Sequence, residues 1–358
     1  MFNLWRISQM KKTLVALAAL AATAAFAQST VTIKGTVDAA YVNTTTTSTA
    51  TAGDGKSSTT NLQNNKQGTS QVTFLGEEDL GGGLKALFLY EGDFDATNSA
   101  TGGGHNLGNN GGEVYVGVSG GFGSIKLGSP NTPSLTSQGA RTPFGTKTGG
   151  GFGGVSGTSH VRQSSSMVYA SPSFSGFSAA IGVTTPTAAV AAVAAAAPTA
   201  TKDGTAGTAA VASNTAAIDI GLNYANGPLS VNYSNFDLNT STQNNLAVSY
   251  VFGPAKVTVG YFNEDTGGAA PTKTNGTNIA LAYGITSNIN LLANYGKLND
   301  DTAANAAAPK DKSIGALGLQ YVMSKRTSVY ARYVNEGFDN AATTQNIKTT
   351  LVGLQHNF

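Results

Sequence analysis

Apolar and polar residues alternate in sixteen short segments along this chain of 358 residues, and the connections between segments are alternately short and long. A period of two puts successive side chains on opposite faces of a strand, so each segment predicts a strand with one apolar and one polar face. Val31-Ile33-Val37-Tyr41 mark the first, Leu84-Phe88-Tyr90 the third, Leu246-Val248-Tyr250 the tenth and Val352-Leu354-Phe358 the last. Seven connections (76–83, 119–123, 171–176, 226–228, 252–254, 286–288 and 323–327) carry the Gly, Pro, Asn and Ser that tight turns require, and the eight between them are longer and polar. An even number of strands joined this way brings both chain ends to the short-turn rim, where first and last strands can pair and remove both open edges. The expected fold is all-β: a 16-stranded antiparallel transmembrane barrel, apolar outside and watery within.

Composition agrees. Mean hydropathy is −0.07 and only 11% of residues are charged, yet no stretch after residue 28 is apolar enough to span as a helix. A soluble sandwich is the alternative. It is weakened by tyrosines recurring near strand ends (Tyr41, Tyr90, Tyr224, Tyr233, Tyr250, Tyr261, Tyr283 and Tyr295), where a membrane–water interface would place them. At the N-terminus, Lys11-Lys12, an Ala- and Leu-rich stretch over 13–23 and Ala25-Phe26-Ala27 form a signal-peptide pattern over 1–27, with Met10 as an alternative start. A single barrel domain over 28–358 is expected to follow.

That mature chain has 18 basic and 19 acidic residues once Arg6, Lys11 and Lys12 are removed, a balance that gives no field for nucleic acid. There is no cysteine, which excludes thiol catalysis and disulfides, and no His/Cys cluster for a transition metal. Of the three histidines, His105 and His160 sit in loops without a nearby acid and His356 lies in the terminal strand, so no base–nucleophile pair argues for an enzyme. Gly145-Thr146-Lys147-Thr148 lacks the glycine before lysine and the following helix of a phosphate loop. No cofactor is expected. The segments 43–69 and 185–214, the latter with an alanine tract at 188–197, read as surface loops.

The longest connection, 130–163, differs from the others: it carries Arg141, Lys147, His160 and Arg162, and no acid occurs between Glu113 and Asp203. Around it the motifs become specific. Val31-Thr32-Ile33-Lys34-Gly35-Thr36-Val37-Asp38, Gly76-Glu77-Glu78-Asp79-Leu80-Gly81-Gly82-Gly83-Leu84-Lys85-Ala86, Val116-Gly117-Val118 with Gly121-Phe122-Gly123, Tyr169-Ala170-Ser171-Pro172 with Phe174-Ser175-Gly176-Phe177, and Ser324-Lys325-Arg326-Thr327 occur in that order. Together they resemble the general Gram-negative porins of the beta-proteobacterial branch, from the signal peptide to Phe358.

The resemblance implies a homotrimer in the outer membrane, each barrel holding its own pore for ions and small hydrophilic solutes, with the third long loop (about 130–163) folded inward. It also implies outer-membrane lipid as surroundings and recognition of the terminal strand, with Phe358 as its signal, by the barrel-assembly machinery. A patch of one charge sign in a narrow low-dielectric wall biases which ions enter. The constriction candidates are Arg141, Lys147, Arg162 and His160. The lumen-wall candidates are Lys34, Lys85, Lys126, Lys256 and Arg332, with Asp38, Glu91 and Asp93 on the same side and able to pair with them. The branch usually carries basic residues where this chain has Gln71, Leu75, Ser129, Val168 and Gln355, so the expected anion preference is weak to moderate. A solute-specific channel and a surface-loop adhesin or receptor on a barrel are the alternative functions.

Overall fold

The computed structural model describes residues 30–50, 53–97, 111–150, 162–185, 216–238, 241–267, 271–301, 311–339 and 343–358. The expected signal peptide over 1–27, His105, His160 and the alanine tract fall outside these. The described chain forms one closed antiparallel sheet. Its strands are β1 (Thr30–Ala50), β2 (Gly53–Asn64), β3 (Gln71–Gly81), β4 (Leu84–Asp93), β5 (Val114–Gly120), β6 (Gly123–Ser129), β7 (Ser166–Ala170), β8 (Phe177–Thr184) and β9 (Ala217–Asn226). β10 (Leu229–Leu238), β11 (Ser241–Phe252), β12 (Ala255–Thr266), β13 (Thr272–Gly284), β14 (Ile289–Asp300), β15 (Asp311–Val322), β16 (Thr327–Asp339) and β17 (Thr343–Asn357) complete it. One helix, α1 (Pro133–Ala140), is present among the described residues.

These seventeen strands make sixteen staves. β1 pairs with β3 through residues 30–36 and with β2 through residues 39–50, so β2 and β3 are two pieces of one stave, interrupted at 65–70. This corrects the expectation of a surface loop over 43–69. Above a membrane both faces of a strand are wet, so apolar alternation disappears and the period-two signal with it. What holds the hairpin is cross-strand polar pairing, such as Asn43 Nδ2 to Thr60 Oγ1 at 2.7 Å and the Thr45 and Ser58 hydroxyls at 3.2 Å, on β-branched threonines.

Residues directly paired across a sheet point to one side, and the register carries that side round the barrel. The inward set runs through Lys34, Thr73 and Glu91, and on through Asp219, Phe236, Gln243, Phe262, Asn278, Asn294, Ala316 and Val334 to Leu351. The opposite set is a broad apolar band: Val31, Ile33, Val116, Leu222, Val259, Ile279, Leu317, Val352 and Leu354 are all exposed, beside exposed Tyr41, Tyr250, Tyr295 and Tyr321. A continuous apolar belt of this kind is stable against lipid and not against water.

β17 closes the barrel against β1, from Thr36–Asn357 up to Ala50–Thr343. The closure extends to the last residue, because Phe358 exchanges both backbone hydrogen bonds with Gly35, at 3.1 and 3.0 Å. The ring of Phe358 lies where a Cβ at position 35 would stand, so only glycine fits there. Inside, Tyr330 lies across Gly353 in the same way.

Candidate functional site

Two segments leave the wall and enter the lumen. The first is 130–150. Thr132 caps α1 by accepting from Leu135 N, and Pro133 starts the helix with its ready-made φ. Ser134 donates from both N and Oγ to Asp219 of β9, at 3.0 and 2.8 Å, anchoring the helix start on a buried carboxylate. Gln138 Nε2 donates to Gln243 Oε1 of β11 at 2.8 Å, Asn278 of β13 to Arg141 O at 2.8 Å, and Asn294 of β14 to Gly149 O at 3.0 Å. The chain is thus tied along the inward face from β9 to β14. Phe144 is sunk in an apolar cluster with Phe262, Leu292, Leu298, Ile314, Ala316 and Val334. Those residues interrupt the polar inward face of β12 and β14–β16, and their burial under the segment removes them from water.

The second is the inturn at 65–70, built around Asp38. That carboxylate is fully buried; its Oδ2 accepts from Gln67 N at 2.6 Å and Gly68 N at 2.5 Å, and its Oδ1 from the Tyr330 hydroxyl at 2.5 Å. Ser70 Oγ accepts from Asp38 N at 2.9 Å. Asp38 is on the inward face, but its charge is spent on backbone donors rather than on the wall lysines.

Arg332 and Lys147 join the two segments. Arg332 Nη1 donates to Lys66 O at 2.7 Å and to Thr148 O at 2.6 Å, and Nη2 to Gln67 Oε1 at 3.3 Å. Its guanidinium lies 5.1 Å from the Phe144 and Tyr330 ring centres. Lys147 Nζ donates to Thr69 Oγ1 at 2.6 Å. The expectation of Arg332 as an open wall charge therefore needs correction: it is 5% exposed and serves as the clasp between the two intruding segments.

Of the three constriction candidates within the described residues, Lys147 and Arg162 share an electrostatic neighbourhood and Arg141 stands apart from it. Arg141 is 3% exposed, against the wall with its guanidinium 5.2 Å from the Phe262 ring centre, and burial pushes its pKa down to about 10, so it is charged at neutral pH. Arg162 stands at the root of the segment, donating to Asn131 Oδ1 at 2.7 Å and to Gly111 O. Lys147 is closest to the intruding segments' meeting point. Burial lowers its pKa, Asp93 and Asp38 act in the opposite sense, and Arg162 and Lys66 add to the lowering. Lys66, which sequence reasoning missed, belongs to the same electrostatic neighbourhood; burial lowers its pKa, and Asp38 opposes this.

The remaining wall candidates all lie on the inward face. Lys126 reaches Glu113 at 3.7 Å and lies 4.4 Å from the Tyr115 ring centre, while Glu113 also accepts from Asn131. Glu91 accepts from Gln71 Nε2 at 2.5 Å, and Asp93 lies beside Gly111. Lys85 pairs with Glu77 near the 82–83 turn, and Lys256 follows the 253–254 turn. Lys34 faces the same interior from β1. Asn278, Asn294, Gln138 and Tyr330 were not anticipated. The signal that could have found their role is the apolar residues on the inward side of β12 and β14–β16, which require a cover.

The arrangement is a closed barrel with two segments held against its inner face. Comparison with known proteins gives the same answer. The family model for Gram-negative porins matches residues 13–341. Outer membrane porin protein 32 of Delftia acidovorans is 30% identical, over 97% of this chain and 93% of its own. Major outer membrane protein P.IB of Neisseria lactamica is 28% identical, over 98% of this chain and 100% of its own. In fold, the chain is similar to the anion-selective porin from Comamonas acidovorans, with TM-score 0.68 at 21% identity over 92% of this chain and 100% of that one. It is also similar to the trimer form of OmpT from Vibrio cholerae, with TM-score 0.61 at 15% identity over 92% and 99%. This chain belongs to the Gram-negative porin family and is a channel of the outer membrane.

Proposed function

We propose that this porin is a homotrimeric diffusion channel for inorganic ions and small hydrophilic solutes, weakly anion-preferring, with its narrowest point between segments 130–163 and 65–70. The observation that carries the reading is the shared neighbourhood of Lys147, Arg162 and Lys66 beside the clasp, the first two in a loop with no acid of its own. Cations held near a low-dielectric wall raise the local concentration of anions and lower their entry barrier. Asp93 and Asp38 offset part of that field, which is why the preference is weak.

Several further properties belong to this reading. Residues 1–27 direct export and are removed, and residues 28–358 form the barrel. Phe358 and its strand are the feature that the assembly machinery reads, and outer-membrane lipid meets the apolar band. The trimer is supported by the trimeric form of the structurally similar OmpT. No catalytic step, cofactor or metal enters the reading.

The test is the reversal potential across a planar bilayer under a KCl gradient. In the wild type the sign reports anion preference, and Lys147→Glu/Arg162→Glu reduces or inverts it. Unchanged selectivity in the double variant would move the filter to the wall lysines Lys34, Lys85, Lys126 and Lys256. An absence of conductance in the wild type would sink the channel reading.

A further inference from the structure

We propose that a hollow on the outer wall, beside the 171–176 turn, holds one acyl chain of a phospholipid from the periplasmic leaflet. The inference rests on the reading that outer-membrane lipid meets the apolar band, and adds to it a discrete, saturable site. The hollow measures about 550 Å³ and is lined by, among others, Ser171, Phe174, Phe177, Ala179, Leu222 and Tyr233. That size suits a single chain rather than a whole lipid.

Register explains its shape. Phe174, Phe177, Tyr224 and Val231 pair in one row across neighbouring strands, and Ser171, Ala179, Leu222 and Tyr233 in the next. Both rows face outward, with Phe177 and Leu222 exposed. Ser171 and Ala179 are small and their companions large, so a recess is left beside the rings. The Phe177 and Tyr224 ring centres stand 4.3 Å apart and close one end. The turn is fixed: Phe174 and Phe177 exchange backbone hydrogen bonds at 2.8 and 2.9 Å around Ser175 and Gly176, whose φ values of 49° and 87° make a type I′ turn. Ala225 N ties Gly176 O to β9 at 2.9 Å. Phe174 is nevertheless 81% exposed, a large ring held out from the wall.

The chemistry of the recess selects carbon. Ser171 Oγ donates to Pro172 O at 2.9 Å and accepts from Ala179 N at 2.9 Å. The Tyr224 hydroxyl accepts from Asn226 Nδ2 at 3.2 Å, and that of Tyr233 donates to Asn244 Oδ1 at 3.0 Å. These polar atoms are already used, and no charged residue occurs in 171–181 or 220–235. The 76–83 and 323–327 turns, by contrast, carry Glu77, Glu78, Asp79, Lys325 and Arg326. The site therefore selects the chain and not the headgroup. Lipid tails are as apolar as the wall, so hydrophobicity alone gives no preference for one position over another. A chain is favoured here because it fills a recess that otherwise forfeits its contacts. The recess opens onto the apolar band at exposed Ile181, Ile220 and Val248, and the short-turn rim places it in the periplasmic leaflet.

The experiment is photolabelling of the full protein in detergent micelles by phosphatidylethanolamine with a diazirine near the end of one chain, the adducts mapped by mass spectrometry. Labelling of 171–179 and 222–233 saturates, and labelling of the rest of the band rises linearly. Unlabelled phosphatidylethanolamine and phosphatidylglycerol of the same chains displace the probe equally, and dihexanoyl phosphatidylcholine does not. Ala179→Leu fills the floor and Phe174→Ala removes a wall; each raises the half-saturating lipid fraction about tenfold. Linear labelling of the hollow, or saturation unchanged in Ala179→Leu, overturns the site. Stronger displacement by phosphatidylglycerol overturns selection by the chain, and labelling lost as protein concentration rises gives the hollow to a second copy instead. Circular dichroism checks folding, and if one variant fails to fold the other decides. A band labelled without saturation anywhere leaves its lipid-facing role and removes only this site, whereas a band left unlabelled overturns that role itself.

Discussion

Single residues at the seam decide whether the barrel can close. Gly35 lies under the Phe358 ring with the Gln71 carbonyl beside it, so a side chain there meets both a ring and an immovable backbone atom. Gly35→Val is expected to cost about 1–3 kcal/mol, the usual range for forcing extra methyl groups into a packed site. The check is the unfolding midpoint in detergent micelles. A midpoint equal to the wild type's would mean that the terminal residue contributes nothing to closure. The aromatic C-terminus and Gly35 are both plain in the sequence, but their meeting is not, because nothing local links position 35 to position 358. Asp38 is the opposite case. Its inward face followed from alternation, while its burial under backbone donors depended on a hairpin that leaves no apolar signature.

At the scale of elements, the 130–150 segment and the 65–70 inturn form one unit through Arg332, whose guanidinium reaches carbonyls on both. Replacing Arg332 with methionine keeps some bulk against Phe144 but removes charge-assisted hydrogen bonds worth about 2 kcal/mol. The expected outcome is a noisier channel with larger mean conductance, read in single-channel recordings. Quiet, unchanged openings would show that the apolar seat of Phe144 holds the segment without the clasp. The third long loop was singled out in the sequence by its charge and its glycines. Its docking was not, since it is carried by side chains scattered over seven strands, and sequence patterns report neighbours along one strand only.

The whole molecule adds a pH dependence. Lys147 has its pKa lowered chiefly by burial, so its positive charge is lost as pH rises at values below the ordinary 10.5 of an exposed lysine. Loss of positive charge removes anion preference; the permeability ratio should therefore shift toward cations while exposed lysines are still charged. Lys147→Arg keeps the charge across that range and should abolish the early part of the shift. An identical alkaline profile in the variant would assign the titration to another group. The sequence by itself determined the barrel, its even stave number, its lipid face and its inward set, because each follows from a period-two pattern read within single strands and from turn chemistry between neighbours. Only the tertiary structure decided which inward charges remain available to a solute. Asp38, Arg141 and Arg332 are buried while Lys66 is left without a partner among the described residues, through contacts such as that between Arg332 and Lys66, 266 positions apart. Charge is a property of the residue, but its exposure is set by the chain that folds over it.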